Sequence, residues 1–200
     1  MRQLTAICLT VLLCCTESRS APDAEQARIQ ELYRRGLAGD KAAVNDCIAK
    51  LEAVLQTDRE NQLARVYLGS AYMLRSRDLG FGPKKLQVLK QGVAVMNEAV
   101  AAAPSDPKVR LARALTTSAL PAILGYRAES RKDFEELAAL AERAPEKFEE
   151  GDLQIVYYNA GVAAKAGSQR DRALTLWKEA QRHPVDAVLA KKIDAELAAL

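Results

Sequence analysis

From Ala21 onward the sequence alternates long helix-patterned runs with short breaks, and no stretch shows the strict alternation of a half-buried strand. That rhythm constrains the fold more than any other feature. A helix with one apolar stripe must pack the stripe on something, so a chain built only of such runs has to stack them against one another. The last run shows the stripe plainly. Val185, Leu189, Ile193, Leu197 and Leu200 recur at helical spacing, while Lys191, Lys192, Asp194 and Glu196 lie elsewhere. Composition agrees: aromatics are only 5% of residues, and the abundant Ala and Leu lose little entropy in a helix.

The breaks carry stop and start chemistry. Ala38-Gly39-Asp40 ends the first run and offers Asp40 as a cap for the second. Thr57 to Asn61 separates the second from the third. Pro104-Ser105-Asp106-Pro107 ends one helix, offers Ser105 or Asp106 as a cap, and places Pro107 in the next first turn, where a missing N–H is harmless. Gly151-Asp152, Ala166-Gly167-Ser168 and His183-Pro184 mark the later turns. The pattern predicts nine helices, over 22–37, 40–57, 60–77, 84–103, 107–124, 128–144, 152–166, 169–182 and 185–199. Leu120-Pro121 should kink the fifth or end it early, either as a bend in a superhelix or as the opening of a pocket between helices.

The runs also repeat. Tyr157, Ala160, Gly161 and Ala164 on one helix precede Ala173, Trp177 and Ala180 on the next, closed by Pro184. The small residues let two helices approach closely, and the aromatic fills the gap between neighbouring hairpins. This set resembles the tetratricopeptide repeat, with its W-x2-L-G-x2-Y, A-x3-F and P pattern. Ala replaces the usual Leu and Tyr, and the proline comes one residue early. A second copy reads through Leu68, Gly69, Tyr72, Gly92, Met96, Ala99 and Pro104, with about eleven extra residues falling on the loop 78–83. A third, weaker copy spans 107–145 through Ala114, Leu137, Leu140 and Pro145. The first hairpin, 22–57, retains mainly Ala53. Ala53, Ala99, Leu140 and Ala180 read as equivalent positions 46, 41 and 40 residues apart, longer than the family period of about 34. The resemblance implies an all-α fold: an α-solenoid of about four helix hairpins plus a C-terminal capping helix. It is similar to a divergent, exported bacterial branch of that family.

The N-terminus differs in kind. Met1-Arg2, an uncharged and mostly apolar run from Leu4 to Cys15, and Ser18-Arg19-Ser20-Ala21 describe a secretory signal peptide over 1–20. The run is too short for a membrane span of about 20 residues. Cleavage after Ser20 leaves a repeat domain of 180 residues, 21–200, with net charge +2, expected in the periplasm or the medium. A second reading takes Leu12-Leu13-Cys14-Cys15 as a lipoprotein-type site with lipid on Cys14 or Cys15, although such sites prefer small residues before the cysteine. Cys47 is then the one cysteine left, so no internal disulfide can form. It lies among Val44, Ile48 and Leu51 on an apolar stripe, as a buried thiol does; the alternative is a disulfide-linked dimer.

Catalytic constellations are missing. His183 is the single histidine, beside Pro184 at a helix end, where a terminal capping role suffices. Metal sites of several His or Cys are excluded by count, and no cofactor motif occurs: Gly80-Phe81-Gly82-Pro83-Lys84 is not a phosphate loop. Lys and Arg are interleaved with Asp and Glu, without a basic block for nucleic acid.

Arg110 and Arg113 stand near the start of a helix, where cations oppose the dipole and call for compensation. Either Asp133 or Glu98 pairs with them internally, or they meet an anionic guest. Family resemblance places the first helices of successive hairpins on the concave groove. There Leu63, Val66, Ser70, Met73, Leu111, Ile155, Tyr158, Val162 and Lys165 would face a helix or an extended peptide. Tyr158 is the expected anchor, and Asn159 with Lys165 forms a partial version of the set by which some relatives clamp a peptide carboxylate. The expected role is a non-catalytic scaffold for a protein or peptide partner, with a self-assembling oligomer as the rival and an enzyme as the remote third. Intact mass of the exported protein should show a chain beginning near Ala21. A form retaining Leu4 to Cys15 overturns the leader, and a diacylglycerol adduct on Cys14 or Cys15 selects the lipoprotein.

Overall fold

The structure is a computed structural model that describes residues 21–199, with side chains from Ala24 onward. The expected leader, with Cys14 and Cys15, lies outside the described residues. Nine α-helices follow in order among them: α1 (Ala21–Leu37), α2 (Lys41–Thr57), α3 (Gln62–Asp78), α4 (Pro83–Ala102), α5 (Pro107–Ser118), α6 (Arg127–Arg143), α7 (Glu150–Ala166), α8 (Arg170–Ala180) and α9 (Ala187–Ala198). No described helix is long and apolar enough to cross a membrane.

Side-chain caps set several of these starts. Asp40 accepts from the Ala43 N–H at 3.0 Å and Asn61 from Ala64 at 2.9 Å. Asp106, rather than Ser105, caps α5 by accepting from Lys108 and Val109 at 2.9 and 3.3 Å. Asp186 does the same for α9. α5 stops at Ser118 instead of running to 124, because Pro121 has no N–H to donate and its ring disfavours helix just before it. A short 3₁₀ turn at Ala122–Leu124 follows, closed by Gly125 in the left-handed region at φ 83°.

The helices pair as hairpins α1–α2, α3–α4, α5–α6 and α7–α8. Each second helix also packs on the first helix of the next unit, and α1 touches α3, α3 touches α5 and α7 touches α9. That is a solenoid of four hairpins ended by α9, as the repeat pattern implies. α3 and α4 approach one another closely, backbone to backbone. A Cβ added to Gly69 would stand 2.6 Å from the Gly92 carbonyl oxygen, and one on Gly92 would stand 2.7 Å from that of Gly69. In the fourth hairpin the space beside Gly161 is filled by the Trp177 ring, fully buried, whose Nε1 donates to the Tyr158 carbonyl at 3.0 Å.

Two expected repeat positions are corrected. Ala53 is exposed and Leu140 only half-buried, so neither is the counterpart of the fully buried Ala99 and Ala180. In α6 the counterpart is Leu137, at 0% exposure. It follows Ser130 by seven residues, as Ala99 follows Gly92 and Ala180 follows Ala173. The small place is held by Ser130, whose hydroxyl donates to the Ala114 carbonyl at 3.2 Å. In α2, Ala43, Cys47 and Leu51 face the core instead. Cys47 is a free, buried thiol, and burial pushes its pKa up to about 11.

Gly92→Ala separates the two forces at the α3–α4 contact. The change favours helix by about 1 kcal/mol in isolation, yet the added methyl meets main chain, which cannot rotate away. Denaturant melts should show a net loss of about 1–3 kcal/mol, and Trp177→Ala should cost about 3–5 kcal/mol.

Candidate functional site

The two arginines singled out in the sequence are held inside the protein. On α6, Asp133 is 1% exposed. Arg113 grips it with two bonds, Nε to Oδ2 at 2.9 Å and Nη2 to Oδ1 at 2.6 Å. Arg110 adds a third through Nη1 at 3.0 Å and reaches Glu136 at 2.5 Å. Arg113 also donates to Asn97 Oδ1 on α4 at 3.1 Å and lies 3.3 Å from Glu129. The cluster therefore ties α4, α5 and α6 together. Glu98, the other internal partner considered, instead faces Arg65 at 3.9 Å. The charge that the helix dipole disfavours at the start of α5 is met by Asp133, and the geometry offers no reason to invoke an anionic guest at Arg110 or Arg113.

The expected groove lining divides. Val66, Ser70, Met73 and Leu111 are buried in contacts between helices, because neighbouring first helices pack along that stripe. Leu63, Ile155 and Tyr158 are half-buried, while Val162 and Lys165 are exposed. Tyr158 rests on the C-terminal core, and burial pushes its phenol up, with Glu196 adding to the effect. The Asn159 amide donates to the Ile155 carbonyl of its own helix at 2.8 Å. Lys165 sits 2.7 Å from Glu196 of α9 and 5.5 Å from the Trp177 ring centroid. Tyr158, Asn159 and Lys165 all stand on α7, but α9 and the helix backbone already engage the polar groups of the last two.

A cavity of about 410 Å³ that the sequence did not single out opens between α1, α2 and α3. Ile29 and Tyr33 on α1, Leu51 and Val54 on α2, and Leu63 and Tyr67 on α3 form its apolar wall, with Glu25, Gln30 and Asn61 also lining it. Tyr33 and Tyr67 meet edge to face, centroids 5.5 Å apart at 76°. Burial pushes both phenols above their ordinary value. A signal was present: Ile29 and Tyr33, and Leu63 and Tyr67, each recur at i and i+4. Spacing cannot reveal that space is left between α1, α2 and α3 beside the contact of Tyr33 with Tyr67. Among the described residues no group of three or more His, Cys, Asp or Glu is placed to hold a metal ion.

These features define an α-solenoid of tetratricopeptide-repeat type. A solved structure agrees: the crystal structure of a thermophilic tetratricopeptide-repeat protein of Thermus thermophilus matches with a TM-score of 0.65, covering 92% of this chain and 84% of that one at 19% identity. At such low identity the likeness shows the fold alone. No protein-family model matches the sequence, and no curated protein matches it.

Arg113→Ala should cost about 3–5 kcal/mol in a denaturant melt, since Asp133 would remain buried with half its partners gone. Replacing both by apolar residues, Arg113→Met with Asp133→Leu, should recover much of that loss. A single variant as stable as the parent would show the cluster to be inert.

Proposed function

We propose that the protein is a non-catalytic scaffold that works outside the cytoplasm and holds a protein or peptide guest along the first helices of its hairpins. The observation that carries this reading is the apolar cavity between α1, α2 and α3. Its volume suits one large side chain with part of its flanking backbone, and its polar groups line an otherwise apolar wall, as binding pockets require. Burying a Leu or Phe of the guest there contributes about 1.5–3 kcal/mol, and the two tyrosines supply area that is rigid and carries a polar tip. Tyr158, half-exposed on α7, offers a second contact further along the same series of helices, flanked by Asn159 and Lys165. The inventory of reactive groups also favours binding over catalysis. The thiol of Cys47 is buried with a raised pKa, and the imidazole of His183 is engaged by Glu150. Export rests on the leader-like residues 1–20.

Self-association is the second reading. It is favoured by Val185 and Val188, which stand 63% and 66% exposed where the solenoid ends. Solution mass measured across a range of concentrations distinguishes it, because a guest scaffold stays monomeric in the absence of guest.

The guest reading is tested with peptides selected from a display library against the intact protein. Calorimetric titration should show Tyr67→Ala and Ile29→Ala each weakening the selected peptide by about 1–2 kcal/mol, with the melts of both variants remaining cooperative. Tyr158→Ala should weaken longer peptides only. Affinity unchanged by Tyr67→Ala and Ile29→Ala together would remove the cavity from the guest site.

A further inference from the structure

The hairpins stack with their first helices alongside one another, so the connection within each hairpin falls on one edge of the solenoid. Arg77 at the end of α3 donates to the Gly36 and Leu37 carbonyls at the end of α1, which joins the first two tips directly. Two of these connections put a large apolar side chain wholly into solvent. Phe81, between α3 and α4, is 106% exposed, and Ile123, between α5 and α6, is 92% exposed. Both loops are held from behind. Leu79 packs on the core formed by α1 to α4, and Lys85 Nζ donates to the Arg77 and Leu79 carbonyls at 3.4 and 3.3 Å. Leu120, Leu124 and Tyr126 pack on the core shared by α3, α4 and α5. Apolar neighbours turn inward in each case, and one large residue is left outside.

Charge is divided between the two edges as well. Over 75–85 and 119–131, which hold these tips, six Lys or Arg stand against Asp78 and Glu129. The three connections between hairpins at the opposite edge, 57–62, 103–108 and 143–152, hold four Lys or Arg against seven Asp or Glu. Asp78 pairs with Arg77 at 3.0 Å and Glu129 lies 3.3 Å from Arg113, so both acids near the tips are already engaged. Lys85 and Arg131 donate only to main-chain carbonyls, and the side chains of Lys84 and Arg127 have no partner among the described residues.

We propose that this edge docks the protein on the surface of a bilayer containing anionic lipid. Phe81 and Ile123 enter the interface, and Lys84, Lys85, Arg127 and Arg131 meet the headgroups. A single exposed apolar residue is ordinary on a protein surface. Two that protrude fully from held loops, among cations without carboxylate partners, have the chemistry of an interfacial anchor. Headgroups yield around a protruding side chain, so no complementary pocket is needed, whereas a protein partner would have to offer two sockets at a fixed spacing. Each Lys or Arg near an anionic leaflet adds attraction, which salt screens. None of these six residues lines the cavity between α1, α2 and α3, so the proposal stands apart from the guest reading.

The test uses the whole chain with a tryptophan reporter at either edge, Phe81→Trp at the tip and Glu60→Trp opposite, over the constant signal of the buried Trp177. Comparing the two reporters separates the tips from any membrane contact of residues 1–20. The probes are vesicles of brominated phosphatidylcholine, the same vesicles with about one third phosphatidylglycerol, and polyglutamate as an acidic protein surface. On the anionic vesicles the tip reporter should shift to the blue and be quenched, while the opposite reporter should do neither. In the Phe81→Trp background, Ile123→Ser should weaken vesicle affinity about threefold or more, and Lys84→Glu with Arg127→Glu about tenfold or more. Thermal melts check that these surface variants stay folded. No response at the tip, an equal response at both edges, equal affinity for vesicles without phosphatidylglycerol, or unaltered affinity in either variant would overturn the proposal. A tip that responds to polyglutamate and not to vesicles overturns it too, and assigns the edge to an acidic protein.

Discussion

Where α3 crosses α4, main chain lies against main chain. Gly69 and Gly92 face one another with no side chain between them, and neither could carry even a methyl group without displacing the other helix. Such contacts set how closely the two helices of a hairpin run, and that spacing determines what fits between hairpins. The other units meet the same demand with different residues. An added Cβ on Gly36 would stand 2.9 Å from Val44 Cγ2 in the first hairpin. Ser130 reaches the Ala114 carbonyl in the third, and Gly161 yields to Trp177 in the fourth. A small residue on one side allows approach, and a bulky neighbour such as Met96 or Trp177 takes up the remaining volume at interior density.

Apolar packing of this sort leaves helices free to slide, and buried polar groups limit the sliding. The Ser70 and Thr116 hydroxyls meet at 2.6 Å between α3 and α5. Arg113 links Asn97 of α4 to Asp133 of α6, across hairpins two and three. Gln154 of α7 both donates to the Asp186 carbonyl at 3.2 Å and accepts from the Asp186 N–H at 2.8 Å, seating the start of α9. Each of these bonds is satisfied in one stagger of the hairpins only, and an unsatisfied buried partner costs about 1–3 kcal/mol or more. The polar contacts thus add less to the total stability than to the choice of one arrangement.

The apolar cavity follows from the same stacking. It is walled by apolar and aromatic stripes of α1, α2 and α3, which meet at Tyr33 and Tyr67 and leave space beside them. The two exposed tips follow from it as well, because stacked hairpins bring their inner connections to one edge.

Sequence by itself determined the helical class, the breaks and the hairpin count, because these depend on local chemistry. An Asp or Asn at a cap, a Pro or Gly at a stop, and an apolar residue every third or fourth place act within a few residues of themselves. It also marked Gly69, Gly92, Gly161 and Trp177, whose sizes are legible without coordinates. It misjudged Ala53 and Leu140, since the faint repeats lack the glycine and aromatic that anchor the register, and a serine at 130 hides the small position. Packing between hairpins decided the rest. Whether Arg113 finds Asp133 or solvent, and whether Tyr67 borders a gap or a neighbour, depends on residues far away along the chain. Distances between such residues are set by the crossing of whole helices, which no local pattern encodes.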